Sequence, residues 1–300
     1  MIVALLCSPH DAGAAELSTI ADASGTLVKV PTEVKRIVSL APNLTEILFA
    51  LGAGPMVVGV SSFSDFPPDA TRLPKVGGFG QVSVEKIVSL SPDVVIATMD
   101  GNARADIDRL RSLGITVFCV FPNSIAELIR DMSQLGHLLS RQQAAKELTA
   151  NIESVVKYVR ARASSLTKRH GQPKVLLALD LAPIVTASGQ TFIGQLVAIA
   201  GGANLAQNSS IRYPRLSLES VVAASPDVIL LVGHGDEQSR IAELRQWERW
   251  SDIPAVKNGR VYSLNPDLVT RAGPRIAAGL MQIQEKLFAP AVPSEVVPTQ

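Results

Sequence analysis

Residues Leu216–Leu231 read LSLESVVAASPDVILL, and residues Val82–Ala97 read VSVEKIVSLSPDVVIA. The two phrases superpose with one constant offset: Ser83 on Ser217, Glu85 on Glu219, Pro92 on Pro226 and Asp93 on Asp227. That offset exceeds the roughly 20–50-residue period of solenoid repeats and matches the size of a small domain. Each phrase opens with a serine suited to cap a helix, continues through an apolar stretch, breaks at Ser-Pro-Asp and ends in a β-branched run. A helix followed by a strand, written twice at domain spacing, predicts two similar lobes with a cleft between them.

The bulk composition is consistent with that reading. Of 300 residues, 47% are hydrophobic, enough for sizeable cores, and 28 basic residues nearly cancel 27 acidic ones, for a net charge of +1. No long run of like charge points to nucleic acid. The start, MIVALLCSPHDAGAAELS, has a short apolar run and then small residues, like the end of a secretory signal. Residues 1–15 are therefore predicted to be a signal segment and the mature chain to be exported. Leu6 precedes Cys7 where a lipoprotein signal has a small residue, so lipidation is not expected. Cys119, in ITVFCVF, reads as a buried core thiol. No 18-residue apolar stretch predicts a membrane span.

From residue 34, short apolar strands alternate with helices, the mark of a mainly parallel sheet with covering helices. The fold class is α/β: two Rossmann-like lobes with mainly parallel sheets joined by a long backbone helix. The N-terminal lobe is placed at 34–123, connecting helices at 124–168, the C-terminal lobe at 173–290, and a Pro-rich disordered tail at 291–300. In APNLTEILFALGAG, Asn43 and Glu46 have the spacing of a capping box. Between 124 and 168 good helix formers dominate, with Gly136 as the break and a second helix from about Arg141 to Ser165.

Enzyme constellations are missing. No nucleophile elbow or phosphate-binding loop is present, and His10, His137, His170 and His234 show no metal-ligand spacing. Neither a metal nor a catalytic residue is predicted. Phe63 and Phe66 in SSFSDFPP, Phe79 in GGFG and Tyr213 in IRYPR instead put rings into loops around the strand ends. Open α/β sheets take ligands there, and rings from both halves favour a shared cleft for a large, partly apolar ligand.

RIVSLAPNLTEILFALGAG, GVSSFSDFPP, the two repeated phrases, ASGQTFIGQLVAIAGGANL and RAGPRIA resemble the periplasmic substrate-binding proteins of ABC importers. The resemblance covers about residues 34–288. It lies with the helical-backbone branch that carries vitamin B12, iron–siderophore chelates or heme, and is nearest to its vitamin B12 members. It implies a monomeric periplasmic receptor that binds cobalamin or a related corrinoid as transported ligand, with no cofactor and no chemistry. Phe63 and the segment Asp267, Leu268, Val269, Thr270 and Arg271 match ligand-contacting positions. Phe79 and Tyr213 stand where the vitamin B12 members have tryptophan, and Thr98 replaces another tryptophan. Glu85 and Glu219 match the acidic residue on each lobe that docks onto the membrane permease. An iron-siderophore or heme cargo on the same architecture is the alternative, and a cytosolic α/β enzyme a third reading.

Overall fold

The computed structural model describes residues 17–78, 80–233 and 237–290. The expected signal segment, the tail, Phe79 and His234 lie outside them. The described residues begin with a hairpin not foreseen from the sequence, β1 (Leu17–Ala21) and β2 (Leu27–Pro31). It is fastened to the lobe behind it by buried Asp22, which accepts from Arg111 Nη2 at 2.8 Å and from the Cys119 amide at 3.3 Å. Cys119 is a buried free thiol, as expected, and burial pushes its pKa up to about 11.

The first lobe follows as β3 (Ile37–Ser39), α1 (Pro42–Ala50), β4 (Val57–Val60), the short pair β5 (Gly77–Gly78) and β6 (Gln81–Val82), α2 (Val84–Ser89), β7 (Val94–Thr98), α3 (Arg104–Ser112) and β8 (Val117–Val120). Its four-stranded sheet runs β4-β3-β7-β8, parallel throughout. All five β7 side chains are buried, as a strand covered on both faces requires.

Two connecting helices come next, α4 (Ile125–Leu138) and α5 (Gln142–His170). Gly136 does not break the helix as expected. α4 runs through it and the turn falls later, at Ser140, whose φ is +54°. Gly136 serves packing instead, because a Cβ there would lie 2.4 Å from the Ala145 Cβ. At 29 residues, α5 spans about 43 Å. Its buried positions, Ala145, Thr149, Ile152, Val156, Val159 and Ala163, step by four and three along one stripe.

The second lobe comprises β9 (Lys174–Leu181), β10 (Ile184–Thr186), α6 (Phe192–Ile199), β11 (Ala203–Asn204), β12 (Arg215–Leu216), α7 (Leu218–Ala224), β13 (Val228–Leu231), α8 (Glu237–Gln246), α9 (Pro254–Lys257), β14 (Val261–Ser263), α10 (Pro266–Val269) and α11 (Ile276–Leu287). Its sheet runs β12-β10-β9-β13-β14, with β11 also paired to β9. The β9, β11, β13 and β14 pairings are parallel, while β10 and β12 add an antiparallel edge.

The repeated phrase has the same structural task in both lobes. Ser83 and Ser217 cap α2 and α7 by accepting from the amides of Lys86 and Ser220. Ser91 and Ser225 take φ of 45° and 50°, an uncommon conformation for a residue with a side chain. The following Asp reaches to the start of the neighbouring strand: Asp93 accepts from the Lys35 and Arg36 amides at 2.7 and 2.8 Å, and Asp227 from the Lys174 amide at 2.8 Å. Pro-Asp thus sets the entry of β3 beside β7 and of β9 beside β13.

One hydrophobic cluster extends from Ile37 and Leu44 through Ile152 and Val159 of α5 to Val175 and Ile283 of the second lobe. Buried Gln284 adds a polar tie by donating to the Val159 carbonyl at 2.8 Å. The long helix is therefore packed into both lobes along a continuous core, which resists wide separation of the two.

Candidate ligand-binding cleft

The candidate cleft residues lie on the loop after β4 in the first lobe and, in the second, on the loop before β12 and the turn after β14. The β4 loop, Ser61 to Pro67, rests on a chain of buried hydroxyls. Ser39 bonds Thr45, Thr45 bonds Ser64 and Ser64 bonds Ser61, each at 2.8 Å. That anchored base holds Phe63 and Phe66 outward, 56% and 41% exposed. The Phe63 ring passes close to Gly78, where a Cβ would lie 3.3 Å from Cε2. Tyr213, 49% exposed, rises from the second lobe on the loop before β12.

Two polar bridges cross from lobe to lobe. At the first, Arg271 donates from Nη1 to Asp65 Oδ1 at 2.6 Å and Glu46 Oε1 at 3.2 Å, and from Nη2 to Asp65 Oδ2 at 3.2 Å. Nη2 also lies 2.8 Å from Asp267 Oδ1, one helical turn away. Arg275 holds Glu46 in a fork, Nε to Oε2 at 2.8 Å and Nη2 to Oε1 at 2.6 Å, with its guanidinium 4.2 Å from the Phe66 ring centroid. Paired forks of this kind are the stronger charge-assisted bonds. Asn43 Nδ2 adds a bond to the Ala272 carbonyl at 3.2 Å. The hydrogen bonds from Arg271 hold the Asp65 carboxyl below the ordinary carboxylate range, against partial burial. Burial opposes the Arg271 charge, but Asp65, Asp267 and Glu46 outweigh it and raise its pKa. Lys75 supports the same loop from within, donating to the Ser64 carbonyl at 2.7 Å and the Ala70 carbonyl at 3.2 Å.

At the second bridge Arg212 Nη2 donates to Asn123 Oδ1 at 2.6 Å, with its guanidinium 5.9 Å from the Phe121 ring centroid. Asn123 also donates to the Gln190 carbonyl and receives Gln195 Nε2 on its own carbonyl. Phe121 is held in turn by its backbone amide, which donates to buried Asp131 at 2.9 Å, and burial shifts that carboxyl's pKa upward.

Several expectations meet these facts directly. Asp267 and Arg271 are in contact, Phe63 is two residues from their partner Asp65, and Tyr213 adjoins the second bridge. The Val269 side chain is fully buried in the shared core. Leu268 packs against the same core, and the Thr270 hydroxyl donates to the Pro266 carbonyl at 2.8 Å. The turn is pressed against α11 at Gly279, where a Cβ would sit 2.1 Å from the Leu268 carbonyl oxygen. Thr98 is buried and donates to Asp100 at 2.5 Å, leaving Met99, its neighbour, exposed. The capping box at Asn43 and Glu46 also fails. α1 starts at Pro42 without a side-chain cap, and both side chains cross to the other lobe instead. Glu46, Asp65, Arg275 and Asn123 are cleft-side residues that the sequence reading missed. A glutamate inside the apolar helix ILFAL-flanking turn LTEIL was the one visible signal, since such a carboxylate is buried only when paired.

The two acidic positions differ. Glu85 on the first turn of α2 lies 3.6 Å from Arg109 of α3, both exposed. Glu219 on α7 is fully exposed, and its own amide and the Ser217 hydroxyl hold its carboxyl below the usual value. Away from the cleft, a cavity of about 340 Å³ is lined by Trp247 and Trp250, the two tryptophans of the chain, and by none of the cleft residues.

Two α/β lobes are thus braced by a long helix and tied to each other by two polar bridges. Residues 37–268 match the model of the periplasmic binding protein family, and the chain belongs to it. It is 33% identical over 275 residues to an uncharacterized ABC transporter substrate-binding lipoprotein, YvrC, of Bacillus subtilis, covering 90% of this chain and 85% of the relative. The crystal structure of the periplasmic vitamin B12 binding protein BtuF of Vibrio cholerae is similar, with TM-score 0.76, 30% identity and coverage of 86% of this chain and 98% of that one. So is the periplasmic heme-binding protein RhuT from Roseiflexus sp. RS-1, with TM-score 0.70, 29% identity and coverage of 85% and 98%. The family carries small ligands to ABC importers. Among the described residues no helix is long and apolar enough to cross a membrane.

Proposed function

We propose that this protein is a periplasmic receptor that binds cobalamin or a related corrinoid between its lobes and delivers it to an ABC importer. The observation that carries the reading is an exposed ring on each lobe, Phe63 and Tyr213, with Arg271 tying the Phe63 loop to the second lobe through Asp65. Exposed rings are costly in water and gain by covering a flat macrocycle. The likeness to the Vibrio cholerae vitamin B12 binding protein extends over almost the whole of that chain. Glu85 and Glu219 would meet basic residues of the permease, with the receptor acting as a monomer. Two such contacts held apart by a stiff helix give a bivalent, charge-steered encounter.

Heme is the second cargo, because a phenol such as that of Tyr213 can ligate heme iron and RhuT is similar along its length. Calorimetric titration of the mature protein with cyanocobalamin, dicyanocobinamide, hemin and a ferric siderophore tests the assignment. Micromolar or tighter binding of at least one corrinoid is expected, and failure of both corrinoids refutes the cargo.

A further inference from the structure

The two bridges that flank the cleft are electrically unlike. At the first, both guanidiniums are taken up by carboxylates: Arg275 by Glu46, and Arg271 by Asp65, Glu46 and Asp267. The three carboxylates outnumber the two guanidiniums. Lys75, on the same loop, is turned to the Ser64 and Ala70 carbonyls. An anionic substituent arriving there would have to displace Asp65 and would still face Glu46 and Asp267. At the second bridge Arg212 is held by a neutral amide and an aromatic ring, through a single hydrogen bond to Asn123 Oδ1. Among the described residues no carboxylate lies within 4.0 Å of it. A guanidinium has five N–H donors in a rigid fork, so Arg212 is oriented by its partners while most of its donors and its charge stay unspent. It also stands next to Tyr213, at the cleft.

We propose that Arg212 is an anion-recognition residue of the cleft. It would receive the single phosphodiester of a complete corrinoid, while the charge-saturated Arg271 end faces the uncharged carboxamide edge of the macrocycle. This rests on the corrinoid reading and adds to it an orientation and a ligand class: one anionic group at one end and amides at the other. The geometry suits the chemistry. A guanidinium already positioned by Asn123 and Phe121 needs little further ordering to form charge-assisted bonds to a phosphate. Asp65, the most exposed of the three carboxylates at the other end, repels a second anion there.

The test crosses two ligands with three proteins. Cyanocobalamin carries the phosphodiester and dicyanocobinamide lacks it. Both are titrated by calorimetry into the wild-type protein, Arg212→Gln and Arg212→Lys at low and at moderate salt. Arg212→Gln is expected to weaken cyanocobalamin about tenfold or more and to leave dicyanocobinamide within about twofold, with Arg212→Lys recovering much of the loss. Salt should narrow the wild-type preference. Equal losses for both ligands would mean that Arg212 only ties the lobes together, and would overturn the proposal. Binding of neither corrinoid by the wild type would instead overturn the cargo assignment. Circular dichroism melting of each variant establishes that it is folded.

Discussion

Glu46 is the carboxylate on which the first bridge is built, and replacing it with glutamine should cost more stability than any exposed charge of the molecule. Its side chain is 1% exposed and receives three hydrogen bonds from two arginines of the other lobe. Glutamine keeps the shape and one acceptor oxygen but removes the charge, and its NH₂ group points a donor at a donor. Breaking a fully buried ion pair costs about 3–5 kcal/mol. Here the arginine side chains remain 15% and 22% exposed, so water relieves part of the loss. The low end, about 3 kcal/mol, is the figure to expect. At about 2.1 cal/mol/K of unfolding entropy per residue, 1 kcal/mol moves the Tm of a 300-residue chain by about 1.5 °C, which puts the loss at about 5 °C. Thermal unfolding followed by circular dichroism at pH 7, with urea melts alongside, measures it. Asp69→Asn serves as control, since its pair with Arg72 is exposed on both sides and should shift Tm by less than about 1.5 °C. A Glu46→Gln loss no larger than the control would refute the view that this bridge joins the lobes.

Other outcomes follow from the same geometry. Asp65 has a folded pKa below its unfolded value, so its contribution is present above the unfolded pKa, about 3.9, and is lost as pH falls through the lower folded value. The Tm difference between wild type and Asp65→Asn should therefore be constant from pH 7 to 5 and shrink only in strong acid; a difference that vanished by pH 5 would contradict the Asp65–Arg271 pairing. Phe63→Ala and Tyr213→Ala should each weaken corrinoid binding about tenfold or more, as expected when a ring that covers the ligand is removed, with little change in Tm because both rings are exposed. Charge reversal of Glu85 and Glu219 together to Arg should abolish transport in reconstituted importer vesicles while ligand affinity stays unchanged; persistent transport would remove the docking role. Asp93→Ala should lower stability by about 1–3 kcal/mol, since it leaves two strand-entry amides without their acceptor.

The architecture was legible because it is written in local signals that repeat. Ser83, Ser217 and the two Ser-Pro-Asp turns each act within a few residues of themselves, and the α5 stripe announces itself by periodicity. The site was legible only in part. Asp267 and Arg271 sit one helical turn apart and could be paired from spacing, but Glu46 and Arg271 are separated by 225 positions and Arg212 and Asn123 by 89. Nothing local distinguishes Glu46 from a capping glutamate until the second lobe is brought against it. The Gly136 reading failed for a related reason. A glycine in a helix lowers its propensity, and the chain accepts that cost to bring Ala145 of α5 close, a contact invisible to propensity. The burial of the Val269 side chain was likewise not legible, because a matching motif does not say which side chains of a turn face inward.

The central claim is a corrin held between the lobes, and a crystal structure of the protein grown with cyanocobalamin tests it most directly. The macrocycle is predicted to lie between Phe63 and Tyr213 with Arg271 at its edge. An empty cleft, with the corrin bound instead at the Trp247–Trp250 cavity or only at the outer surface, would contradict it.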